Sequence, residues 1–330
     1  MLYPLKFNPI LKEMIWGGKK IPQKLNLPVA DDVKIGENFA VSGLKTDLSV
    51  VSNGALAGKN MAELIESYQG DLLGEHVYKQ FGTNFPLLIK YIDANDDLSI
   101  QVHPDDVLAK EKHNSFGKTE MWYVIDAENE AGLISGFSKK TNAEEFEAYH
   151  SSKRLMELMQ KHQTSEGDTF FIPAGKVHSI GSGNLIAEIQ QTSDITYRIY
   201  DFDRTDKFGN PRELHHELAM DAMNFSDDES GKVDYQTADN QSVNVAQCQY
   251  FTTNVLQVSG ELSKDYSKLD SFVILMNVGG QCSIKAAGST IELNEMEATL
   301  IPACLADVSI ESVGTAKLLE VYIEKKYLVC

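Results

Sequence analysis

The chain has 330 residues, 42% hydrophobic and 24% charged, the balance of a soluble globular protein with room for two domains of ordinary size. Thirty lysines and arginines against 48 acidic residues give a formal charge of −18, a field that repels phosphate backbones and anionic membranes, so neither nucleic acid nor a membrane is expected as a partner. Any anionic substrate must be drawn in by a local cluster of lysine and arginine. The four cysteines, Cys248, Cys282, Cys304 and Cys330, form no CxxC pair, which argues against a zinc ribbon or redox motif and suits a reducing compartment. No apolar run reaches signal-peptide or membrane-span length, so a cytoplasmic protein is expected.

Residues 1–58 read as short strands broken by turns: Leu5-Lys6-Phe7, a turn at Trp16-Gly17-Gly18, then Phe39-Ala40-Val41-Ser42. Trp16 beside two glycines reads as a core anchor, with a ligand-facing aromatic as the alternative. Residues 60–80 are helical, with Met61, Leu64, Ile65 and Tyr68 on one apolar stripe and Leu72, Leu73, Val77 and Tyr78 continuing it past a break at Gly70. Residues 85–92 are an apolar run that reads as a buried strand, and 93–97 turn the chain into a second strand at 99–103. A short helix is expected over 105–113 and a strongly β-prone strand over 118–125. Residues 142–163 are read as helical in two parts, the first capped by Thr141 or Asn142 and the second turning Leu155, Met156 and Met159 inward. His150 and His162 are assigned to these helices as solvated side chains.

Residues 167–204 are strand-rich, and a helix is expected over about 213–223. His215 and His216 are adjacent on it, point in different directions and are not read as a metal pair. Residues 225–242 are a composition break, so the chain divides into 1–235 and 236–330. The second part has short strands near 251–258, 272–278, 281–285, 290–293, 299–301 and 317–323, the pattern of a small all-β sandwich or barrel. No charged or metal-type constellation is evident there.

The chemistry gathers in the first part. Along residues 99–106, Ser99, Gln101 and His103 alternate with Ile100 and Val102, so the polar three share one strand face before Pro104 stops the strand. This is either a strand face in water or the wall of a polar site. Residues 167–178 follow Gly-x5-Pro-x-Gly-x2-His, which resembles the second motif of the cupin β-barrels, with Ser182 where an asparagine is often found; in cupins that histidine is a metal ligand. Gln101, His103, Glu120 and His178 together offer two imidazoles, a carboxylate and an amide, a set that suits Zn²⁺ with an open position, although iron or manganese accepts much the same donors. Gln101 stands where the usual first cupin motif has a histidine, and Glu120 follows His103 by 17 residues, so the pattern is a variant one.

The combination of residues 99–106, Lys118-x-Glu120, the Pro-x-Gly-x-x-His at 173–178, the run at 194–204, Ile15-Trp16-Gly17-Gly18 and residues 85–94 resembles the type I mannose-6-phosphate isomerases in their shorter bacterial form. The resemblance covers most of residues 1–224 in order. One departure is Gly36-Glu37-Asn38-Phe39-Ala40-Val41-Ser42, where the family often has Gly-Glu-x-Trp-Glu-x-Ser.

The resemblance implies a mainly β fold with added helices: a cupin-type jelly-roll barrel followed by a smaller all-β, cupin-like domain. It implies one zinc ion per chain on Gln101, His103, Glu120 and His178, and Arg198 as the active-site arginine. The implied reaction interconverts mannose 6-phosphate and fructose 6-phosphate. Ser99, Lys118 and Arg204 are the candidate contacts for the phosphorylated hexose, and the proton-transferring base is left open among Glu188, Asp194, Asp201 and Lys118. The alternatives are a non-catalytic sugar-phosphate-binding cupin, an isomerase of another sugar phosphate, or an iron dioxygenase, the last disfavoured by Gln101. A monomer or a homodimer is expected, with the C-terminal part either packing on the barrel or making the dimer contact.

Overall fold

Leu87–Ala94 and Asn184–Gln191 lie side by side in an antiparallel sheet, and every residue of both strands is buried. A strand buried along its whole length has both faces covered, and the computed structural model, which describes residues 1–206 and 208–327, provides two covers. The sheet has seven strands, in the order Thr169–Ile172, Glu120–Ala127, Asn184–Gln191, Leu87–Ala94, Ile10–Gly18, Ile35–Leu44 and Asp47–Leu48. A five-stranded sheet faces it, in the order Tyr197–Tyr200, Ile100–Val102, His178–Ile180, Gly132–Phe137 and Met159–Gln163. Trp16, Ile92, Trp122, Phe170 and Ile186 of the first sheet pack against Leu133 and Ile180 of the second, which closes the cupin-type barrel.

The other face of the seven-stranded sheet is set by the two-residue period of its strands. Met121, Tyr123 and Ile125, together with Leu185, Ala187 and Ile189, point away from the barrel. They join a core shared with Phe272, Ile274, Met276, Leu319 and Val321 of the C-terminal part. Buried Tyr91 reaches across and donates its hydroxyl to the carbonyl of Glu297 at 2.8 Å. The C-terminal strands therefore cover the back of the sheet whose front lines the barrel. They run from Ser242–Gln247 to Asp307–Tyr322 around a core of their own, and the chain's first strand, Leu5–Lys6, pairs with Ala298–Ile301 among them. Inside that core Glu320 is buried with Lys264 (2.7 Å), Tyr266 (2.7 Å), Ser242 (2.7 Å) and Asn254 (2.9 Å), a charged network that composition did not reveal. Cys330 lies outside the described residues.

The helices follow their caps. Asn60 and Glu63 form a capping box for Met61–Leu73, and the break in this segment falls at Gln69 and Gly74, next to the expected Gly70. Asp105 caps Asp106–His113 and Asn142 caps Ala143–Ser151. The second half of 142–163 is a correction: after a short turn at Leu155–Glu157 the chain forms the strand Met159–Gln163, paired with Gly132–Phe137. His162 is thus on a strand and half-buried, and His150 packs against other rings, so neither is simply solvated. Residues 15–18 end a strand and make no turn there. The last helix of the barrel part is His216–Ala222, so His215 precedes it. No helix among the described residues is long and apolar enough to cross a membrane.

Phe272 packs against Phe85 with the rings tilted and their centroids 4.9 Å apart, both buried where the C-terminal strands meet the barrel part. Phe272→Ala is expected to lower the unfolding free energy by about 3–5 kcal/mol, read from a urea melt of the full chain. An unchanged midpoint would show that this contact does not hold the two parts together.

Candidate active site

Ile100 and Val102 enter the core under the five-stranded sheet, which leaves Gln101 facing the barrel interior. Gln101 lies in register between His178 on one neighbouring strand and Arg198 on the other. His103 follows at the strand end. Gly175 donates its N–H to the His103 carbonyl at 2.9 Å, tying the Pro-x-Gly turn before His178 to this strand. The turn needs glycine, since Gly175 has φ +87° and a Cβ there would stand 3.1 Å from the Ala222 carbonyl oxygen.

His103 Nδ1 lies 2.9 Å from the Ile195 carbonyl and His178 Nδ1 lies 2.8 Å from that of Lys176. A carbonyl only accepts, so each Nδ1 carries the proton and each Nε2 presents a bare lone pair. Those two Nε2 atoms are 3.1 Å apart, and each is 3.5 Å from an oxygen of Glu120, which projects from the opposite sheet. Two lone pairs and a carboxylate this close repel one another unless a cation lies among them. The spacings are near the edge of about 3.3 Å that four ligands at roughly 2.0–2.1 Å make in a tetrahedron. All three side chains are buried, and their carbonyl partners fix ring tautomer and orientation, as ligating histidines require.

The electrostatics agree with that fit. Burial drives the His178 pKa down to about 3 and that of His103 well below its usual value. Burial, with Glu188 close by, pushes the Glu120 carboxyl up to about 7, against the pull of Lys118 and Lys90. A divalent cation balances a set that cannot otherwise carry its charge in the barrel.

Beside this group is a cavity of about 330 Å³, lined by five cationic side chains, Lys12, Lys90, Lys118, Arg198 and Arg212. Four carboxylates, Glu37, Asp47, Glu188 and Asp194, also line it, so against a chain charge of −18 the cavity carries a small local excess of positive charge for an anionic ligand. Ser99 and Lys118 are both buried and line it, with Lys118 Nζ 3.3 Å from Glu120. Trp16 is buried in the barrel core and also borders the cavity, so the two sequence readings of it coincide.

Trp122, Glu188, Lys90 and Phe39 form one row across the seven-stranded sheet. Glu188 accepts from Trp122 Nε1 at 3.0 Å and lies 3.2 Å from Lys90. Burial opposes the Lys90 charge, but Glu37, Glu188 and Glu120 together raise its pKa; burial likewise opposes ionised Glu188, and Lys90 and Lys118 hold its pKa below the usual value. The sequence signal for Lys90 is a lysine inside the apolar run 85–92, which alternation alone does not assign to a site.

Arg204 does not reach the cavity. Phe202 and Asp203 both have φ near +55°, a tight left-handed turn that returns Arg204 to Asp201 at 2.6 Å and to the Asp97 carbonyl. The cation that does border the cavity is Arg212, held in a bidentate pair by the same Asp201. Arg212 sits in a loop with no periodicity, so no sequence signal marked it. Arg198 also borders the cavity: its Nη1 donates to the Glu213 carbonyl at 2.7 Å, and its backbone exchanges hydrogen bonds with His215.

A family model described as the phosphomannose isomerase type I catalytic domain matches residues 5–137. A probable mannose-6-phosphate isomerase of Bacillus subtilis is 35% identical over 314 residues, which cover 94% of this chain and 97% of the relative. The chain belongs to the type I phosphomannose isomerases. A mannose-6-phosphate isomerase of Streptococcus mutans is 39% identical over 223 residues, 68% of each chain. The crystal structure of the mannose 6-phosphate isomerase from Bacillus subtilis superposes with a TM-score of 0.87 at 32% identity, over 98% of this chain and all of that one. The phosphomannose isomerase fold extends to a Salmonella typhimurium enzyme at 16% identity and a TM-score of 0.80.

Asp201 gives a pH prediction. Burial opposes its charge, but Arg212 and Arg204 outweigh burial and hold its pKa below the ordinary 3.8. A carboxyl depressed on folding stabilises the protein above its unfolded pKa, and that stability is lost as pH falls through the folded value. Urea unfolding followed from about pH 5 downward is therefore expected to fall less steeply in Asp201→Asn than in the wild type. Equal slopes would remove Asp201 from the acid response.

Proposed function

We propose that this protein is a zinc-dependent aldose–ketose isomerase that interconverts mannose 6-phosphate and fructose 6-phosphate by moving a proton between C2 and C1 through an enediol(ate). Family membership supports the activity. The observation that carries the reading is the convergence of two bare imidazole Nε2 atoms and Glu120 beside a cavity lined by five cations. Gln101 completes a nitrogen and oxygen donor set without thiolate, which fits zinc. When bound there, zinc supplies Lewis acidity to the substrate oxygens.

The remaining work falls to the chain's own side chains. Ser99, Lys118 and Arg212 bind the phosphorylated hexose, and Arg204 serves them by sharing Asp201 with Arg212. Arg198 is permanently cationic and planar, so it stabilises negative charge on the enediolate oxygens and does not shuttle protons. Among the bases left open by the sequence, Asp201 is occupied by two guanidinium groups and Asp194 is exposed. Glu188 is buried and borders the cavity, with Oε1 3.2 Å from Lys90 Nζ and Oε2 accepting from Trp122. Its depressed pKa keeps it ionised at neutral pH, and we assign it the proton transfer.

The test is formation of fructose 6-phosphate from mannose 6-phosphate before chelation, after it, and after zinc is restored. Activity is expected to vanish and return; a zinc-loaded protein without turnover refutes the assignment. Arg198→Ala and Glu188→Gln should each retain zinc and fold. The former is expected to lose on the order of 10²–10³ in kcat and the latter about 10²–10⁴. Full activity in either variant would remove its residue from the mechanism.

A further inference from the structure

Away from the cavity, Glu147, His150 and His216 bring three ligand atoms within 4.8 Å of one another on the outer side of the five-stranded sheet. Glu147 and His150 are three residues apart on Ala143–Ser151, so they share a face, and His216 opens the helix packed beside it. His216 Nε2 lies 2.6 Å from Glu147 Oε1. The His150 and His216 rings stack with centroids 4.8 Å apart. The ring of His150 is also stacked on Phe146, with centroids 6.0 Å apart, which holds it between that ring and His216.

We infer that Glu147, His150 and His216 form a second divalent-cation site, which clamps the helix His216–Ala222 to the helix Ala143–Ser151. Two imidazoles and one carboxylate suit borderline cations of the zinc class over magnesium or calcium. The three side chains are half-exposed, which leaves room for water at the remaining positions.

The clamp bears on the cavity through the chain just before His216. His215 Nδ1 accepts the Arg198 backbone N–H at 3.0 Å, the Glu213 carbonyl accepts from the Arg198 side chain at 2.7 Å, and Arg212 is bound to Asp201. A cation at this site fixes the segment that carries Arg212 and seats Arg198. Its three ligands are positioning residues.

Equilibrium dialysis against buffered Zn²⁺ tests the site by counting bound zinc per chain. Wild type is expected to bind two ions, and His216→Ala and His150→Gln one each. In a His103→Ala/His178→Ala protein, which lacks the central pair, one ion should remain and disappear when His150→Gln is added. A wild-type count of one, or a count unchanged by His150→Gln and His216→Ala, overturns the second site. Amide exchange over residues 213–222 tests the clamp in the same His103→Ala/His178→Ala protein. Zinc at about ten times its dissociation constant is expected to slow exchange about tenfold, and unchanged exchange overturns the clamp. No substrate enters either measurement, so the result stands apart from the outcome of the isomerase assay.

Discussion

A carboxylate and two imidazole lone pairs cannot share a few cubic ångströms of protein interior without a cation to balance them. His103, His178 and Glu120 meet under that constraint, at 3.1 Å and 3.5 Å, in a place where burial depresses both histidines and raises the carboxyl. Much of the architecture serves to hold these groups in contact. The histidines come from one sheet and the carboxylate from the sheet that faces it, so the site exists only when the barrel is closed. Backbone carbonyls on both Nδ1 atoms keep the lone pairs turned inward.

The same sheet explains why the C-terminal strands are present. Its strands alternate between residues that face the barrel, such as Glu120, Trp122, Glu188 and Lys90, and apolar residues that face away. The second set would be exposed to water without Phe272, Ile274, Met276, Leu319 and Val321 behind it. Burying that face keeps the strands rigid and keeps the register in which Glu188 stands opposite both Trp122 and Lys90. The C-terminal part thus acts on the cavity through the back of a shared sheet, and it takes in the chain's first strand as well.

Charge is managed locally. Four of the cations at the cavity have a carboxylate within reach: Lys12 has Asp47, Lys90 has Glu37 and Glu188, Lys118 has Glu120, and Arg212 has Asp201. These pairs, with Arg198 held by the Glu213 carbonyl, keep five positive groups around one small volume of a strongly acidic protein. The Asp201 pair also illustrates economy of position, because one carboxylate turns Arg204 outward and Arg212 toward the cavity.

Alternation over residues 99–103 was enough to put Gln101 and His103 on one face, because a strand's period of two is a local property. The Pro-x-Gly turn before His178 was equally legible, since its shape depends on the ring of Pro173 and the missing side chain of Gly175. The family, the barrel class and most strands of the first part followed from such local patterns. What the sequence missed depends on distance. Leu155, Met156 and Met159 recur at helical spacing and suggest a helix to residue 163, whereas pairing with Gly132–Phe137 makes 159–163 a strand. Arg212 replaces Arg204 at the cavity, and His216 meets Glu147 and His150 across two helices. Such side-chain meetings are fixed by how elements pack, and packing is decided by the whole chain at once.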